Sequence, residues 1–349
     1  MSETASIHPF DPQSVSDAEW GALNALENAI RAERWPEDPP RTVEETRREI
    51  ESLPGFIEVH AWAAWDPWPE TMAALGYVIL MRTDENRHMG QMEIQVRPEY
   101  RRQGWARELL RRIAEAARER ERSLLIASSD SRIPAGEAFL ERLGARVGLA
   151  SHVNQLEVAD VDPDQLRQWQ EQARERAADF EIGLWDGPYP EDELEAVAEL
   201  NKVMNSAPRG DLDVEDFDWT PEQLRQTEAS LQHQGVERWT MVARHRPTGQ
   251  FAGYTETYWN PNRPETLQQG NTGVFPEYRG HGLGKWLKAA MLAKVVRDKP
   301  QVKRIRTGNA DVNEAMLAIN RQLGFQPYKS IKTWQAELEK VQAYLDSQH

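Results

Sequence analysis

Apolar and polar positions along this chain fall into an order of elements that occurs twice. Residues 18–33 and 43–52 carry helical patterns. Strand-like runs follow at 56–65, 72–81 and 89–96. A glycine-containing turn then opens a helix in which Leu109, Leu110, Ile113 and Ala117 recur at helical spacing. Residues 124–128 predict a short strand, 136–143 a helix and 146–158 the last strands of this half. The stretch 163–178, rich in Gln, Arg and Glu, predicts a helical connector. The order then repeats: a strand at 180–185, helices at 191–204 and 221–234, and strands at 238–243, 251–258 and 267–274. A second glycine turn and helix, a strand at 305–307, a helix at 313–323 and a strand at 331–338 complete it, with a terminal helix at 341–345. Each half is strand-rich early and strand–helix–strand later. That predicts an α+β (mixed α/β) class with a central mixed sheet, parallel where a strand feeds the glycine turn.

The repeat is also literal. VRPEYRRQGWARELLRRI, from Val96, matches VFPEYRGHGLGKWLKAAM, from Val274, with Gly104 and Gly282 offset by 178 residues. Later, FLERLGA and AINRQLGF match with Gly144 and Gly324 offset by 180. Two landmarks at nearly constant offset indicate a duplicated domain rather than a solenoid. The expected layout is an N-terminal domain at 1–160, a connector at 161–178 and a C-terminal domain at 179–349. The total of 349 residues suits two domains.

Composition narrows the chemistry. The absence of cysteine excludes disulfides, thiolate metal sites and a cysteine acyl relay. No apolar run approaches 18 residues, which excludes a membrane-spanning helix on pattern. The first residues show no secretory pattern, so a cytoplasmic location is expected. The formal net charge of −15 argues against a nucleic-acid binder and favours a cationic small molecule. The eight histidines show no metal-ligand spacing, and no metal is expected. Nothing in the sequence sets the oligomeric state. Trp62, Trp65 and Trp68 read as core and rim packing.

Against this acidic background both glycine turns are basic. Eight Lys/Arg and two Asp/Glu lie between Glu277 and Arg304, and nine Arg and five Glu between Arg97 and Arg122. Glycines admit positive φ and close ligand approach. Unpaired amides at the head of a helix bind anions. Neither turn is a Walker loop or a dinucleotide fingerprint.

The turns Arg101-Arg102-Gln103-Gly104-Trp105-Ala106 and Arg279-Gly280-His281-Gly282-Leu283-Gly284, each after a V-x-P strand end, resemble the signature of the GNAT superfamily of acyl-CoA-dependent N-acetyltransferases. So does Thr307–Phe325, T-G-N-A-x-x-N-x-x-M-x-x-x-N-x-x-L-G-F. The resemblance covers both halves and implies a tandem arrangement using acetyl-CoA. It implies that loop amides, with Lys285 beside them, take the pyrophosphate. It also implies that the strands ending at Val96 and at Val274-Phe275 splay from a neighbour to pair with the pantetheine, and that a bulge aims an amide at the thioester oxygen. Asn309, Asn313 and Met316 would lie beside that arm.

The two halves differ where relatives carry catalytic groups. Positions that hold Asn313, Met316 and Asn320 in the second half hold Ile133, Gly136 and Leu140 in the first, and both halves lack the tyrosine that relatives carry at the Asn320 position. The first half is therefore expected to be catalytically degenerate; its loop either still binds CoA, with the bulky Trp105 counting against this, or only supports the other half. In the second, relatives' glutamate is replaced by Gln268. Glu256 is the candidate base, because strand alternation puts it on one face with Tyr254 and Tyr258. Asn320 is a candidate to orient the thioester and Tyr328 to supply a proton. Five carboxylates between Asp211 and Asp218 could draw a cationic acceptor. The expected activity is transfer of an acetyl group to a primary amine of a small molecule. A CoA-binding scaffold without turnover and a protein N-acetyltransferase are the alternatives.

Overall fold

A computed structural model describes residues 6–347, which divide into two compact units. Unit 1 comprises the chain up to Ala150, the short segment Asp211–Glu215 and the chain from Ile331 onward; unit 2 comprises Ser151–Gly210 and Asp216–Ser330. These are not the contiguous halves expected at 1–160 and 179–349.

Unit 1 opens with strand β1 (Ser6–Pro9) and helices α1 (Asp17–Arg34) and α2 (Val43–Glu51). Both helices begin where the sequence offers a capping box: Ser16 with Glu19, and Thr42 with Glu45, each pair satisfying two amides that the first turn leaves without partners. Strands β2 (Ile57–Trp65), β3 (Met72–Met81) and β4 (Met89–Val96) follow, then α3 (Trp105–Glu119), β5 (Leu124–Asp130) and α4 (Pro134–Arg142). Strands β1 to β4 form antiparallel ladders in sequence order. Strand β4 runs parallel to β5 only over Met89–Gln91. The sixth strand comes from the far end of the chain: residues 331–337 of β12 (Gln326–Glu337) lie antiparallel to β5. Helix α10 (Leu338–Asp346) then buries Leu338, Val341 and Leu345 in the core that holds Leu110 and Ile113 of α3.

Unit 2 has the same plan. Its elements are α5 (Pro163–Arg176), β7 (Phe180–Asp186), α6 (Leu194–Asn201), α7 (Pro221–His233), β8 (Glu237–His245), β9 (Phe251–Trp259), β10 (Thr266–Val274), α8 (Leu283–Asp298), β11 (Arg304–Ala310) and α9 (Glu314–Gln322). Strands β7 to β10 are antiparallel neighbours. Strand β10 runs parallel to β11 only over Thr266–Gln268, and the far side of β11 pairs with residues 151–157 of β6 (Arg146–Glu157). Each sheet is thus completed by a strand from the other repeat. Alternation along a strand reports which face is buried and carries no label for its partner, so the sequence pattern assigned 146–158 and 331–338 to their own repeats.

Two further expectations change. The helix expected as a connector is part of unit 2: Leu166, Ala173 and Ala177 join the core built on Leu287, Met291 and Ile305, and burial of a leucine contributes roughly 1.5–3 kcal/mol. The acidic segment is held in unit 1 through Asp211–Glu215. There the Asp211 amide donates to the Gly148 carbonyl (2.8 Å), the Asp213 amide to Gln335 Oε1 (2.6 Å) and the Glu215 amide to Asn86 Oδ1 (2.9 Å). Asp216 and Asp218 pair with Arg209 and Lys202. The segment is thus fixed by its backbone, while Asp211, Asp213, Glu215, Asp216 and Asp218 all remain exposed.

Candidate active site

In unit 2 the site is built where β10 leaves β11. The parallel ladder ends at Gln268 opposite Arg306, so β10 from Gln269 to Val274 has only β9 as a neighbour. Within that stretch the register with β9 shifts between Gln269 and Thr272, a bulge in which two residues of β10 face Glu256. Gly270 is required there: a Cβ would stand 2.7 Å from the Tyr258 ring and 2.8 Å from Glu256 Cγ. The result is a V-shaped cleft whose apex lies at Gln268–Gln269 and whose wider part runs toward the glycine loop.

At Phe275 the strand gives way to a single turn at Pro276–Tyr278, and the loop follows. Gly280 and Gly282 have φ of 86° and 80°, which L side chains rarely adopt, and a Cβ on either would meet nothing. Gly282 starts α8, and the amides of residues 280–285 donate to no protein acceptor among the described residues. Leu283 is buried in the core, Gly284 packs beside Ile319, and Lys285 donates to Gln322 Oε1 (2.6 Å) and lies over the Trp169 ring. His281 is exposed at the loop tip. Arg279 donates to the Val274 carbonyl (3.0 Å) and to Ser206 Oγ (2.7 Å), with no carboxylate partner among the described residues. Open amides with a cationic side chain and no counter-ion suit a phosphate group.

The other wall of the cleft carries the asparagines. Asn320, 1% exposed, donates from Nδ2 to Asn309 Oδ1 (2.7 Å), while its own Oδ1 is buried without a partner. An orphaned buried acceptor costs about 1–3 kcal/mol unless a ligand supplies a donor, and the amides of a pantetheine arm are such donors. Asn313 caps α9 by accepting from the Met316 amide (3.3 Å), with Met316 half-buried in the first turn. Tyr328 stacks on the buried Arg306 guanidinium, 5.0 Å away.

On the opposite face of β9 lies a polar cluster that the sequence pattern only partly disclosed. Glu256 is buried and accepts from the Asn271 amide at the bulge (3.2 Å). Burial holds its carboxyl above the usual carboxylate range, against the pull of the Asn271 amide, Tyr258 and Arg238. Tyr254 and Tyr258 flank it, their phenols pushed well up first by burial and then by the Glu256 charge. Arg238, Glu228 and Tyr189 extend the cluster: Arg238 Nη2 donates to Glu228 Oε1 (2.6 Å), and its guanidinium lies 3.8 Å from the Tyr189 ring. Burial pushes the Tyr189 phenol to about 12. Tyr254 donates to Asn201 Oδ1 (3.1 Å). Arg238 stands at the start of β8 and Glu228 in the polar-rich helix α7, where charge is ordinary, so nothing in the pattern marked them as interior.

Unit 1 reproduces the loop with a different electrostatic outcome. Gly104 has φ of 91° and opens α3, but Arg102 stands at φ 65° where unit 2 has Gly280. Arg101 donates from Nη1 to Glu33 Oε1 (2.9 Å) and forms an ion pair with that carboxylate. Gln103 donates to the Glu99 carbonyl (3.1 Å), Ala106 is half-buried, and Val96 closes the strand. Trp105 is 1% exposed and packs on Ala64, Ala73 and Leu109, so it faces the core instead of obstructing the loop. Like its counterpart Leu283, the first residue of the helix points inward. Ile133 joins the α1 core, Leu140 joins the α3 core, and Tyr77 donates to Glu93 Oε2 (2.7 Å), with Glu93 also paired to Arg34.

A family model for a GNAT acetyltransferase domain matches residues 59–144, and one for the GNAT acetyltransferase family matches residues 194–325. The chain is a tandem GNAT acetyltransferase. A mycothiol acetyltransferase of Salinispora arenicola is 32% identical over 121 residues, which span 33% of this chain and 39% of that protein. A tandem GNAT protein from the clavulanic acid biosynthesis pathway superposes with a TM-score of 0.76 at 25% identity, covering 96% of this chain and 98% of its own. A GCN5-related N-acetyltransferase from Sphaerobacter thermophilus shares the fold, with a TM-score of 0.67 at 15% identity over 97% of both chains. Among the described residues no helix is long and apolar enough to cross a membrane, and no group of His, Asp and Glu is arranged to hold a metal ion.

Proposed function

We propose that unit 2 is an acetyl-CoA-dependent N-acetyltransferase acting on a primary amine of a small, cationic molecule. The observation that carries this reading is the coincidence, around one bulge, of an open glycine loop, a splayed strand and a buried glutamate with a raised pKa. The amides at the head of α8 and Arg279 hold the pyrophosphate. The free edge of β10, from Gln269 to Val274, pairs with the pantetheine, and Asn320 Oδ1 accepts from it. Acetyl-CoA supplies the activated acyl group.

The amine arrives as an ammonium, since free amines have pKa values near 10, and must lose a proton before attack. Glu256, charged above its raised pKa, first attracts the ammonium and then takes its proton. The net charge of −15 supports a cationic acceptor through its long-range field. Unit 1 serves as a structural partner with no turnover, its loop arginine neutralised by Glu33 and its helix positions filled by Ile133 and Leu140.

The test is thiol release from acetyl-CoA in the presence of a panel of polyamines, amino sugars and aminoglycosides, with the acylated product identified by mass. Release that saturates with one amine class supports the reading. CoA binding without release against any amine contradicts it in favour of a scaffold.

A further inference from the structure

Helix α8 carries one residue that its apolar surroundings do not explain. Lys288 is 3% exposed and in register with Met291, Leu292 and Val295, the residues that press α8 against the sheet. Its ammonium has no hydrogen-bonding or ionic partner among the described residues and lies over the face of Phe325, 5.4 Å from the ring centre. It lines a small cavity between α8 and the sheet. Thr257 of β9, Leu267 and Gln269 of β10, Ile305 of β11, and Leu323 and Phe325 complete that cavity, and none is charged or titratable. Gln269 is the residue at which β10 leaves β11, so the cavity lies under the apex of the cleft. Burial alone lowers the lysine to about 7.

The duplication supplies an internal control. Six residues beyond the helix-opening glycine stand Lys288 in unit 2 and Leu110 in unit 1. Leu110 is fully buried among Val78, Met92, Leu125 and Leu140, so the same helix position under the same kind of sheet is well filled by an aliphatic side chain. A lone buried cation costs stability there. The half that carries Asn313 and Asn320 retains it, and the half with Ile133 and Leu140 in their place does not. The tyrosine that relatives place on the following helix is Asn320 here, which has no proton to give near neutral pH.

We propose that Lys288 is the proton donor to the departing CoA sulfur. This rests on the reading of unit 2 as an acetyl-CoA-dependent transferase. The amine nitrogen forms the new C–N bond to the acetyl carbon, the C–S bond breaks and its electron pair leaves on sulfur. Lys288 Nζ passes one proton to that sulfur and becomes a neutral amine. Glu256 takes one proton from the ammonium before attack and passes it to water, then takes a second from the nitrogen once the C–N bond has formed; water returns one proton to Lys288 and keeps the other. Atoms and charge balance with no further reactant. Before the bond breaks, the ammonium also stabilises negative charge developing on sulfur.

The decisive readout uses CoA itself and needs no acceptor. The ultraviolet absorbance of the thiolate is followed against pH for CoA bound to the wild-type protein, to Lys288→Leu and to Lys288→Met. A cation within about 4–6 Å lowers the pKa of a thiol by roughly 1–3 units. Near pH 7, where about half of Lys288 carries its proton, the wild-type complex should therefore hold several-fold more thiolate than either variant. CoA affinity by calorimetry and the circular dichroism spectrum report whether each variant folds and binds; the methionine variant serves where the leucine variant does not. Equal thiolate fractions in wild type and a folded, CoA-binding variant overturn the assignment of Lys288 while leaving the reading of unit 2 intact. Failure of the wild-type protein to bind CoA overturns that reading first. With an amine that is turned over, Lys288→Met should lower kcat by about 10²–10⁴ and leave KM nearly unchanged.

Discussion

The two clefts share one backbone plan and differ in what their side chains do with charge. In unit 1 the charged groups at the cleft are answered from within, Arg101 by Glu33 and Glu93 by Arg34 and Tyr77, and the helix-cap position is the aliphatic Ile133, while Gln95 Oε1 and Trp105 Nε1 stay buried without a partner. In unit 2 groups are left open among the described residues: Arg279 without a carboxylate, Asn320 Oδ1 without a donor, and Lys288 without a counter-charge. Even the carboxylate has changed strands. Three residues before the strand's final valine stand Glu93 in β4 and Asn271 in β10, while the facing strand carries Tyr77 in one unit and Glu256 in the other. Closed charge stabilises a fold, and open charge waits for a ligand.

The largest effect expected from breaking this contrast is at the base. Glu256→Gln should lower kcat by about 10²–10⁴ while acetyl-CoA affinity stays within twofold or so. If Glu256 only anchors the ammonium, KM for the amine rises and kcat holds. The wild-type pH profile follows from the sign of the shift. Because burial raises the Glu256 pKa, activity should fall on acidification through a value above the ordinary carboxylate range, and this limb should vanish in the glutamine variant.

Exchanging the helix residue should move stability in opposite directions in the two units. The unfolded chain protonates Lys288 below about 10.5, whereas the folded chain does so only below about 7. Folding therefore loses stability as pH falls from about 10.5 to about 7 and stays lower below that. Lys288→Leu should raise unfolding free energy by an amount on the order of 2–4 kcal/mol at pH 7, with the gain shrinking toward pH 10. Leu110→Lys should destabilise unit 1 by a similar amount. Denaturant melts across this pH range check both, and a pH-independent difference for Lys288→Leu contradicts the account. A smaller effect is expected at Asn320: replacing it with the leucine of unit 1 should weaken CoA binding about tenfold, as loss of one buried hydrogen bond to the ligand does, measured by calorimetry.

Much of this was legible before any coordinates. The period of 178–180 residues, the strand–loop–helix context and the loop glycines follow from spacing and from the need for positive φ at Gly282 and Gly104. The alternation of Tyr254, Glu256 and Tyr258 indicated a shared face, and the structure buries all or most of each. What escaped has a common cause: pattern reports environment and is silent on partner. Residues 151–157 and 331–337 read as ordinary closing strands, and their exchange between units depends on distant chain. The acidic segment Asp211–Asp218 read as a free loop, because nothing in its pattern names Gly148, Gln335 and Asn86 as the partners of its backbone amides. Trp105 looked obstructive because the loop motif says nothing about which way its first helical side chain turns. Lys288 carried a signal that could have been used, a lone lysine spaced three, four and seven residues before Met291, Leu292 and Val295, but surface lysines on amphipathic helices are common enough to hide it.

The contrast between an open and a closed cleft is tested most directly by matched substitutions at the two helix-opening glycines. Gly282→Glu and Gly104→Glu each place a carboxylate and a strained φ at a loop head, and thiol release from acetyl-CoA with a saturating amine is measured for both after circular dichroism confirms folding. The account predicts loss of at least about 10²-fold for Gly282→Glu, whose carboxylate repels the pyrophosphate from the α8 amides. It predicts a change of less than about twofold for Gly104→Glu. Loss of turnover in folded Gly104→Glu, or its survival in folded Gly282→Glu, would contradict the assignment of the chemistry to unit 2.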